Sequence, residues 1–380
     1  MKRIKVLHIL HSIGGVDVYL RLVIENVDAN IVESVIMHSE DTNDKEYLDS
    51  DGKLVKQYFA PIKREIHLIK DIISIYKTIK LFKKEKPNLV HAHSAKGGII
   101  ARLASLFYNV NVLHTPHAYS YLSASSSIKR NFFLKIEKVF KNFNSFLLAT
   151  SESERIRGIE EVGYVPSKAL LFNNSVLPIN NIDENNVVKR YNLPKQYICT
   201  VGRPSYQKNI ELMIESIKEV KKKIPNIHLV LMGVGVYCPS KENVEKLIKI
   251  NNLQENITMI EWIEREHIFS IIDKSMFYIS TSRYEGLPYS MIESLALSKA
   301  CVATYCDGNK DLVKNEYNGY LVENNIELIS EKIFKLYSNE KLRNKFGKNS
   351  FNLFQEKFNL KTNIKSLESI YLKYSTDRKL

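Results

Sequence analysis

Glu285 and Glu293 stand with seven residues between them in the run Thr281-Ser-Arg-Tyr-Glu-Gly-Leu-Pro-Tyr-Ser-Met-Ile-Glu293. An ionised carboxylate only accepts hydrogen bonds, so two of them suit the hydroxyls of a sugar or a ribose. The flanking elements set where they sit. Residues 276–280 read as a short buried strand. Residues 290–297 read as a helix with Ser290 as its N-cap and Met291, Leu295 and Ala296 on an apolar face. Gly286, Leu287 and Pro288 then complete a strand-to-helix loop that starts at Glu285. In an open α/β sheet such loops lie at the carboxyl ends of the strands, where ligands bind. The first-turn amides of the helix favour an anion there. The bland alternative is two ordinary charges near a helix start, where the dipole also favours Glu.

Arg203 and Lys208 follow a buried strand over 196–202 and precede a helix over 210–222. They leave one strand end and can converge on one anion. Arg brings a planar fork and Lys a compact charge, a combination that suits a diphosphate. The next strand, 227–232, ends in Gly233-Val-Gly235. At the N-terminus a strand over 4–10 leads through Gly14-Gly15 into a helix over 16–27. That pair is either a plain turn or a place where backbone closely approaches a bound group. It is not G-x-G-x-x-G, so a dinucleotide dehydrogenase is not indicated. His117 follows a strand over 110–115 and faces a cleft if the sheet is doubly wound, whereas His114 lies within the strand. His91 and His93 share one strand face and could form a metal pair, but no third ligand is evident nearby. They read as strand-end or packing histidines.

Strands alternate with helices through two halves, which predicts an α/β chain of two doubly wound domains facing a cleft. Its 380 residues suit two domains, and 44% hydrophobic with 26% charged residues is a globular composition. The four cysteines form no C-x-x-C pair, which fits a reducing compartment. No apolar run approaches the ~20 residues that span a bilayer, and the first residues lack the longer apolar region of a signal peptide. A cytoplasmic location follows, with any membrane contact peripheral at the inner face. The formal charge of +13 is spread over both halves, which argues against a nucleic-acid stripe and leaves an anionic lipid surface or no special partner. Ile66, Ile69, Ile73 and Tyr76 recur at helical spacing between lysines, which predicts an amphipathic helix covering the sheet. Residues 125–146 alternate Lys129, Arg130, Lys135, Lys138 and Lys141 with Phe132, Phe133, Phe140 and Phe143, against the single acid Glu137. That stretch is either an interfacial contact with anionic lipid or a helix with its phenylalanines inward.

Ser282, Glu285-Gly286-Leu287-Pro288, Glu293-Ser294-Leu295-Ala296 and Val201-Gly202-Arg203-x₄-Lys208-Asn209 together resemble the nucleotide-sugar signature of retaining glycosyltransferases of family 4. Residues 90–104 resemble the amino-terminal domain of members that build surface polysaccharides. The resemblance covers nearly the whole chain and implies the GT-B fold, two Rossmann-like domains. Residues 1–178 would bind acceptor and 185–359 the donor, with the end of the chain, about 360–380, packing back on the first domain. It implies transfer of a sugar from a nucleotide diphosphate donor, UDP-linked for preference and GDP-mannose second. The acceptor would be a lipid-linked saccharide, reached at an anionic membrane surface through 125–146.

The same resemblance implies the roles. Arg203 and Lys208 neutralise the departing diphosphate, aided by amides near Gly286, Leu287 and Pro288 and by the Gly14-Gly15 turn, so no metal or other cofactor is required. Gly233 lies near the base, as does the segment around Trp262. Glu293 holds ribose hydroxyls, Glu285 holds the donor sugar beside the anomeric carbon, and His117 contacts that sugar. The sequence departs from the pattern at Asn173-Asn174-Ser175-Val176, where a Gly and an acid are missing, and at Lys299, Asp307-Gly308-Asn309 and Asp311. A sugar-nucleotide epimerase of the same fold, or a non-catalytic basic module binding nucleic acid or lipid, are the alternatives.

Overall fold

Short runs of β-branched and aliphatic residues form strands that are buried on both faces, as parallel sheets require. In this computed structural model they assemble into two units, 1–174 with 360–380, and 175–359. The structure describes residues 3–11, 14–39, 46–63, 65–180, 182, 187–235, 238, 240–261 and 263–376. Trp262 lies outside them. Residues 175–178, which the sequence places in the first domain, belong with the second unit, where Val176 N–H bonds to Phe358 O at 3.0 Å.

The first unit runs β1 (Ile4–Ile9), α1 (Gly15–Ile24), β2 (Val32–Ser39), β3 (Lys56–Ala60), α2 (Leu68–Glu85), β4 (Leu89–His93), α3 (Ser94–Ser105), β5 (Val112–Thr115), α4 (Ser127–Phe140), β6 (Ser145–Ala149), α5 (Glu152–Arg157) and β7 (Ala169–Leu171). Its strands pair in parallel in the order β3-β2-β1-β4-β5-β6-β7, so the direction of winding reverses between β1 and β4. Register at that reversal sets His8 directly opposite His91. The pair Gly97-Gly98 lies inside α3. A Cβ at Gly97 would come within 2.5 Å of the Ile9 carbonyl oxygen, and one at Gly98 within 2.4 Å of His114. Only glycines let this helix press so closely on the sheet.

The structure corrects the expected face of α2. Ile66, Ile69, Ile73 and Tyr76 are all exposed, and the buried positions are Ser74, Thr78, Leu81, Phe82 and Glu85. The small residues make the close contact. Thr78 satisfies its hydroxyl on the Ser74 carbonyl at 2.7 Å, so its burial leaves no unpaired hydroxyl there. The larger apolar stripe is left in solvent.

The second unit runs α6 (Val187–Arg190), β8 (Ile198–Val201), α7 (Ile210–Lys221), β9 (Leu229–Met232), α8 (Lys241–Ile250), β10 (Ile257–Ile260), α9 (Arg265–Lys274), β11 (Tyr278–Ser280), α10 (Tyr289–Ala296), β12 (Cys301–Thr304), α11 (Asn309–Leu312), β13 (Gly319–Val322), α12 (Ile326–Tyr337) and α13 (Glu340–Lys357). Its parallel order is β10-β9-β8-β11-β12-β13, and the reversal falls between β8 and β11. Ile198, Leu229, Leu231, Phe277, Ile279 and Val302 anchor its core against Ile214 and Ile217 of α7. The last helix, α14 (Leu360–Tyr374), returns to the first unit, where the Tyr371 hydroxyl meets His91 Nδ1 at 2.7 Å and Asn111 donates to Tyr374 O at 2.9 Å.

Candidate functional site

The reversal between β8 and β11 brings together two loops, 202–209 and 281–288. Arg283 ties them, donating from its backbone to Gln207 O at 2.8 Å and from its guanidinium to Tyr206 O at 2.6 Å. Thr281 adds a bond to Asn209 O at 2.9 Å. This stitching delivers Lys208 Nζ to Glu285 Oε1 at 2.7 Å. Gln207 Nε2 donates to Glu285 Oε2 at 3.0 Å, and the Ser282 hydroxyl to Oε1 at 2.6 Å. Glu285 is buried, 6% exposed, with all three donors fixing its carboxylate plane. The sequence pairs Lys208 with Arg203. Here Lys208 is turned to Glu285 instead, while Arg203 stands exposed with no ion-pair partner among the described residues. Gly233 lies against this loop, the site of its missing Cβ being 3.8 Å from Gly202 N and 3.9 Å from Arg203 N.

Gly286 and Leu287 lead to α10, whose N-cap position is Pro288 and which carries no side-chain cap. Ser290 is therefore not the cap. It sits in the first turn, where its oxygen accepts from the Tyr278 hydroxyl at 2.9 Å. The same Tyr278 oxygen accepts from Val201 N–H at 3.0 Å, which pins the end of β8 to the start of α10. Glu293 lies one turn further on, buried and bonded to Arg265. Burial pushes its carboxyl above the ordinary range, and Arg265 only partly offsets that.

In the first unit Gly14 makes the turn after β1. Its φ of 62° with ψ of −132° is open only to glycine. Gly15 is not part of the turn but the first residue of α1. His117 and Ala118 after β5 both have positive φ, 53° and 75°, which side chains other than glycine rarely adopt. Glu154 holds that strained turn. Its Oε1 accepts from Ala118 N–H at 2.8 Å, and its Oε2 from Thr150 N–H at 2.7 Å. His117 packs edge-on against Tyr19 of α1, with ring centroids 4.9 Å apart. Burial lowers its imidazole to about 3, so the ring is neutral at pH 7. His114, the competitor, is wholly buried on the other side of its strand against Ser94 O at 3.3 Å.

His91 and His93 do have a third imidazole beside them. His8 of β1 brings ligand atoms of all three within 4.8 Å of one another. Nothing near the pair in sequence reveals it, because the partner comes from another strand. As a metal site the trio is poorly disposed. Both nitrogens of His91 are taken, Nδ1 by Tyr371 and Nε2 by the Thr115 hydroxyl at 2.9 Å.

The two halves of the chain match two family models: residues 13–176 match "Glycosyltransferase Family 4", and residues 181–353 match "Glycosyl transferases group 1". The chain is a family 4-like glycosyltransferase. It is 27% identical over 339 residues to the UDP-Gal:alpha-D-GlcNAc-diphosphoundecaprenol alpha-1,3-galactosyltransferase of Escherichia coli, spanning 86% of this chain and 85% of that one. It is 28% identical over 348 residues to the capsular polysaccharide biosynthesis glycosyltransferase CapM of Staphylococcus aureus, spanning 86% and 89%. Among solved structures it resembles sucrose-phosphate synthase from Thermosynechococcus elongatus (TM-score 0.83, 19% identity, 98% of this chain and 99% of that one). Anabaena HepE in complex with UDP and glucose has the same fold (TM-score 0.82, 14% identity, 98% and 100%). The fold class is GT-B.

In this glycosyltransferase the residues that sequence reasoning misses are Gln207, Ser282 as a carboxylate donor, Arg265, Glu154 and His8. Two of them leave a trace. Arg265 opens α9, where a cation opposes the helix dipole and so invites another explanation. Ser151-x-x-Glu154 is a capping-box spacing, and Ser151 does cap α5, though Glu154 reaches past it to Thr150 and Ala118.

Proposed function

We propose that this glycosyltransferase moves a hexosyl group from a UDP-sugar to a lipid-linked saccharide in cell-surface polysaccharide synthesis, with retention at the anomeric carbon. The observation that carries the reading is the Lys208–Glu285 pair at the reversal of the second sheet, 2.7 Å apart and next to the start of α10. A cation, an oriented carboxylate and a helix N-terminus in one place suit a diphosphate joined to a sugar. Arg203 and Lys208 meet the phosphates and stabilise the charge that builds as they leave, so the chemistry proceeds without a divalent ion. Glu285 accepts from sugar hydroxyls. Three donors already hold it, which suits a positioning acceptor rather than a covalent nucleophile. Glu293, with Arg265, accepts from ribose hydroxyls, and Gly233 gives room beside the base. Gly14 and His117 of the first unit contact the sugars.

The UDP donor and the lipid-linked acceptor are drawn from the Escherichia coli relative, whose name states both. The surface of the first unit supports a lipid-borne acceptor. Leu68, Ile69, Ile72 and Tyr76 of α2 and Ile128 and Phe132 of α4 are more than half exposed, with lysines among them. Glu137, the one acid in 125–146, is turned inward onto the buried Arg102 at 2.9 Å, which leaves the outer face of α4 cationic. Exposed apolar side chains ringed by cations fit an anionic lipid surface. Among the described residues no helix is long and apolar enough to cross a membrane.

Thermal unfolding in the absence of divalent ions, with UDP, GDP and their sugars, tests the donor site. A nucleotide at 100 times its dissociation constant adds about 2.7 kcal/mol. We expect UDP-sugars to stabilise the wild type and not the Arg203→Ala/Lys208→Met double variant. Equal stabilisation of both proteins, or of neither, would remove the proposed phosphate grip.

A further inference from the structure

Three imidazoles run in a line from the interior of the first unit, where His8 and His93 are buried, to the half-buried His117 on the strained turn after β5. His8 Nδ1 lies 3.2 Å from His93 Nε2, and His93 Nδ1 lies 3.3 Å from His117 Nε2. The rings are nearly parallel along the line, 15° between the first two and 22° between the second two. His8 and His93 have no solvent exposure, and burial holds them neutral. A neutral imidazole carries one N–H and one lone pair, so each bond needs one proton between its two nitrogens. Only two patterns satisfy both bonds. Either all three rings carry the proton on Nδ1 and the chain points toward His117, or all three carry it on Nε2 and the chain points inward.

The inner end decides between them. His8 Nε2 is buried without a hydrogen-bond partner. In the inward pattern it would be an orphaned N–H, which proteins very rarely bury. In the outward pattern it is only an unused lone pair, which is more readily tolerated. His91 stays out of the chain. The Thr115 hydroxyl spends its proton on Leu148 O at 2.8 Å, so it must accept from His91 Nε2–H, and His91 Nδ1 must then accept from Tyr371.

We infer that His8 and His93 are positioning residues that lock His117 in the Nδ1–H form, so that it presents a hydrogen-bond donor, not a base, to an oxygen of the bound saccharide. The saccharide rests on the function proposed above; the tautomer does not. Reversing the donor would mean shifting the proton in all three rings. A free imidazole has no such constraint.

Histidine ¹⁵N NMR of the ligand-free protein at pH 7.5 tests the chain directly, because the nitrogen shifts and two-bond couplings report each tautomer. We expect Nδ1–H for His8, His93 and His117, and Nε2–H for His91. In His93→Phe, which keeps a ring in the stack, the His117 signals should move toward a mixture of tautomers. Nε2–H at His117 in the wild type would overturn the inference, and so would a His117 signature unchanged by His93→Phe. Stoichiometric zinc bound through His8 Nδ1 and His93 Nε2 would also overturn it. If His93→Phe does not fold, the wild-type spectrum alone decides. Transfer assays give a second reading. The amide nitrogen of Asn overlays imidazole Nδ1 and that of Gln overlays Nε2, so His117→Asn should retain at least 10-fold more activity than His117→Gln. Failure of the NMR pattern falls on the chain, whereas an Nδ1–H spectrum with no turnover of any nucleotide sugar falls on the proposed function.

Discussion

The two units place polar groups at the same point of the same fold, the reversal of a parallel sheet, but they use opposite chemistry there. The second unit uses charge: Lys208 on Glu285 and Arg265 on Glu293, in loops stitched together at the strand ends. The first unit uses neutral rings: His8, His91, His93 and His117 with Tyr19 and Tyr371. The difference suits two kinds of ligand. A nucleotide diphosphate brings charge that must be met with charge, whereas an uncharged saccharide is read by directional donors and acceptors. It also predicts that the units respond differently to acid.

The largest effect should be on the first unit as pH falls. His8, His91, His93 and His114 are fully buried, and burial lowers all four. A lowered imidazole contributes its stability in full above its unfolded value of about 6.5 and loses it as pH falls toward its folded value, about 3 for His8. Between pH 7.5 and pH 5 each such group costs roughly 2 kcal/mol, several kcal/mol together. Glu293 in the second unit has the opposite sign. Its raised carboxyl is disfavoured when ionised, so acid relieves it. Hydrogen exchange at pH 7.5 and pH 5 should therefore show protection falling far more in β1, β4 and β5 than in β8 and β11. Equal loss in the two sheets would break the comparison.

Next in size is the Lys208–Glu285 pair. Lys208→Met leaves a buried carboxylate without its cation and should cost the second unit about 3–5 kcal/mol. The double variant Lys208→Met/Glu285→Gln removes both charges and should recover most of that stability in denaturant titrations. Its transfer rate should stay at least roughly 100-fold down if, as proposed, these groups meet the donor. A stable and active double variant would show that charge in the second unit serves folding alone.

These contrasts also explain what could be read from the sequence. Arg203 and Lys208 sit in one loop, and Glu285 and Glu293 in one run, so the charged cluster is nearly local and its motif is legible. The partner assignments were not, because Glu285 meets Lys208 across 77 positions. The neutral cluster is less local still. His8 meets His93 across 85 positions and His91 meets Tyr371 across 280, whereas sequence spacing exposes only the His91–His93 neighbours. The alternation of strands and helices predicted two doubly wound sheets correctly, since each element's burial pattern is its own. For α2, periodicity established that a helix forms but not which side faces inward. Thr78 looks polar in a sequence, yet a hydroxyl bonded to its own helix is cheap to bury.

The surface of the first unit offers a smaller test. Charge reversal of Lys135, Lys138 and Lys141 to Glu on and just after α4 should weaken binding to anionic vesicles by about 1 kcal/mol per lysine removed. Leu68→Ser/Ile72→Ser on α2 should weaken it through lost apolar contact and leave its salt dependence unchanged. Sedimentation with vesicles at two salt concentrations separates the two terms. Unchanged binding in both variants would mean that the exposed face of this unit does not meet lipid.

The smallest effect is the most local, and it concerns a neutral relay inside the charged unit. Were Ser290 the cap of α10, Ser290→Ala would cost about 1 kcal/mol by freeing a helix amide. In the structure Ser290 instead accepts from Tyr278, whose oxygen also receives Val201 N–H at 3.0 Å and lies 3.4 Å from Val201 O. Once the Ser290 oxygen is removed, the Tyr278 proton can turn to Val201 O, so the loss should be well under 1 kcal/mol. Tyr278→Phe has no such refuge. It strands Val201 N–H at the strand end that carries Arg203, and should cost about 1–3 kcal/mol. Denaturant midpoints of the two variants give the order. If Ser290→Ala is the costlier, the helix start is set by a side-chain cap after all. If Tyr278→Phe is, both units hold their sheet reversals with the same device, a buried neutral hydroxyl or imidazole that takes a bond on one side and gives one on the other. They then differ only in the charges that surround it.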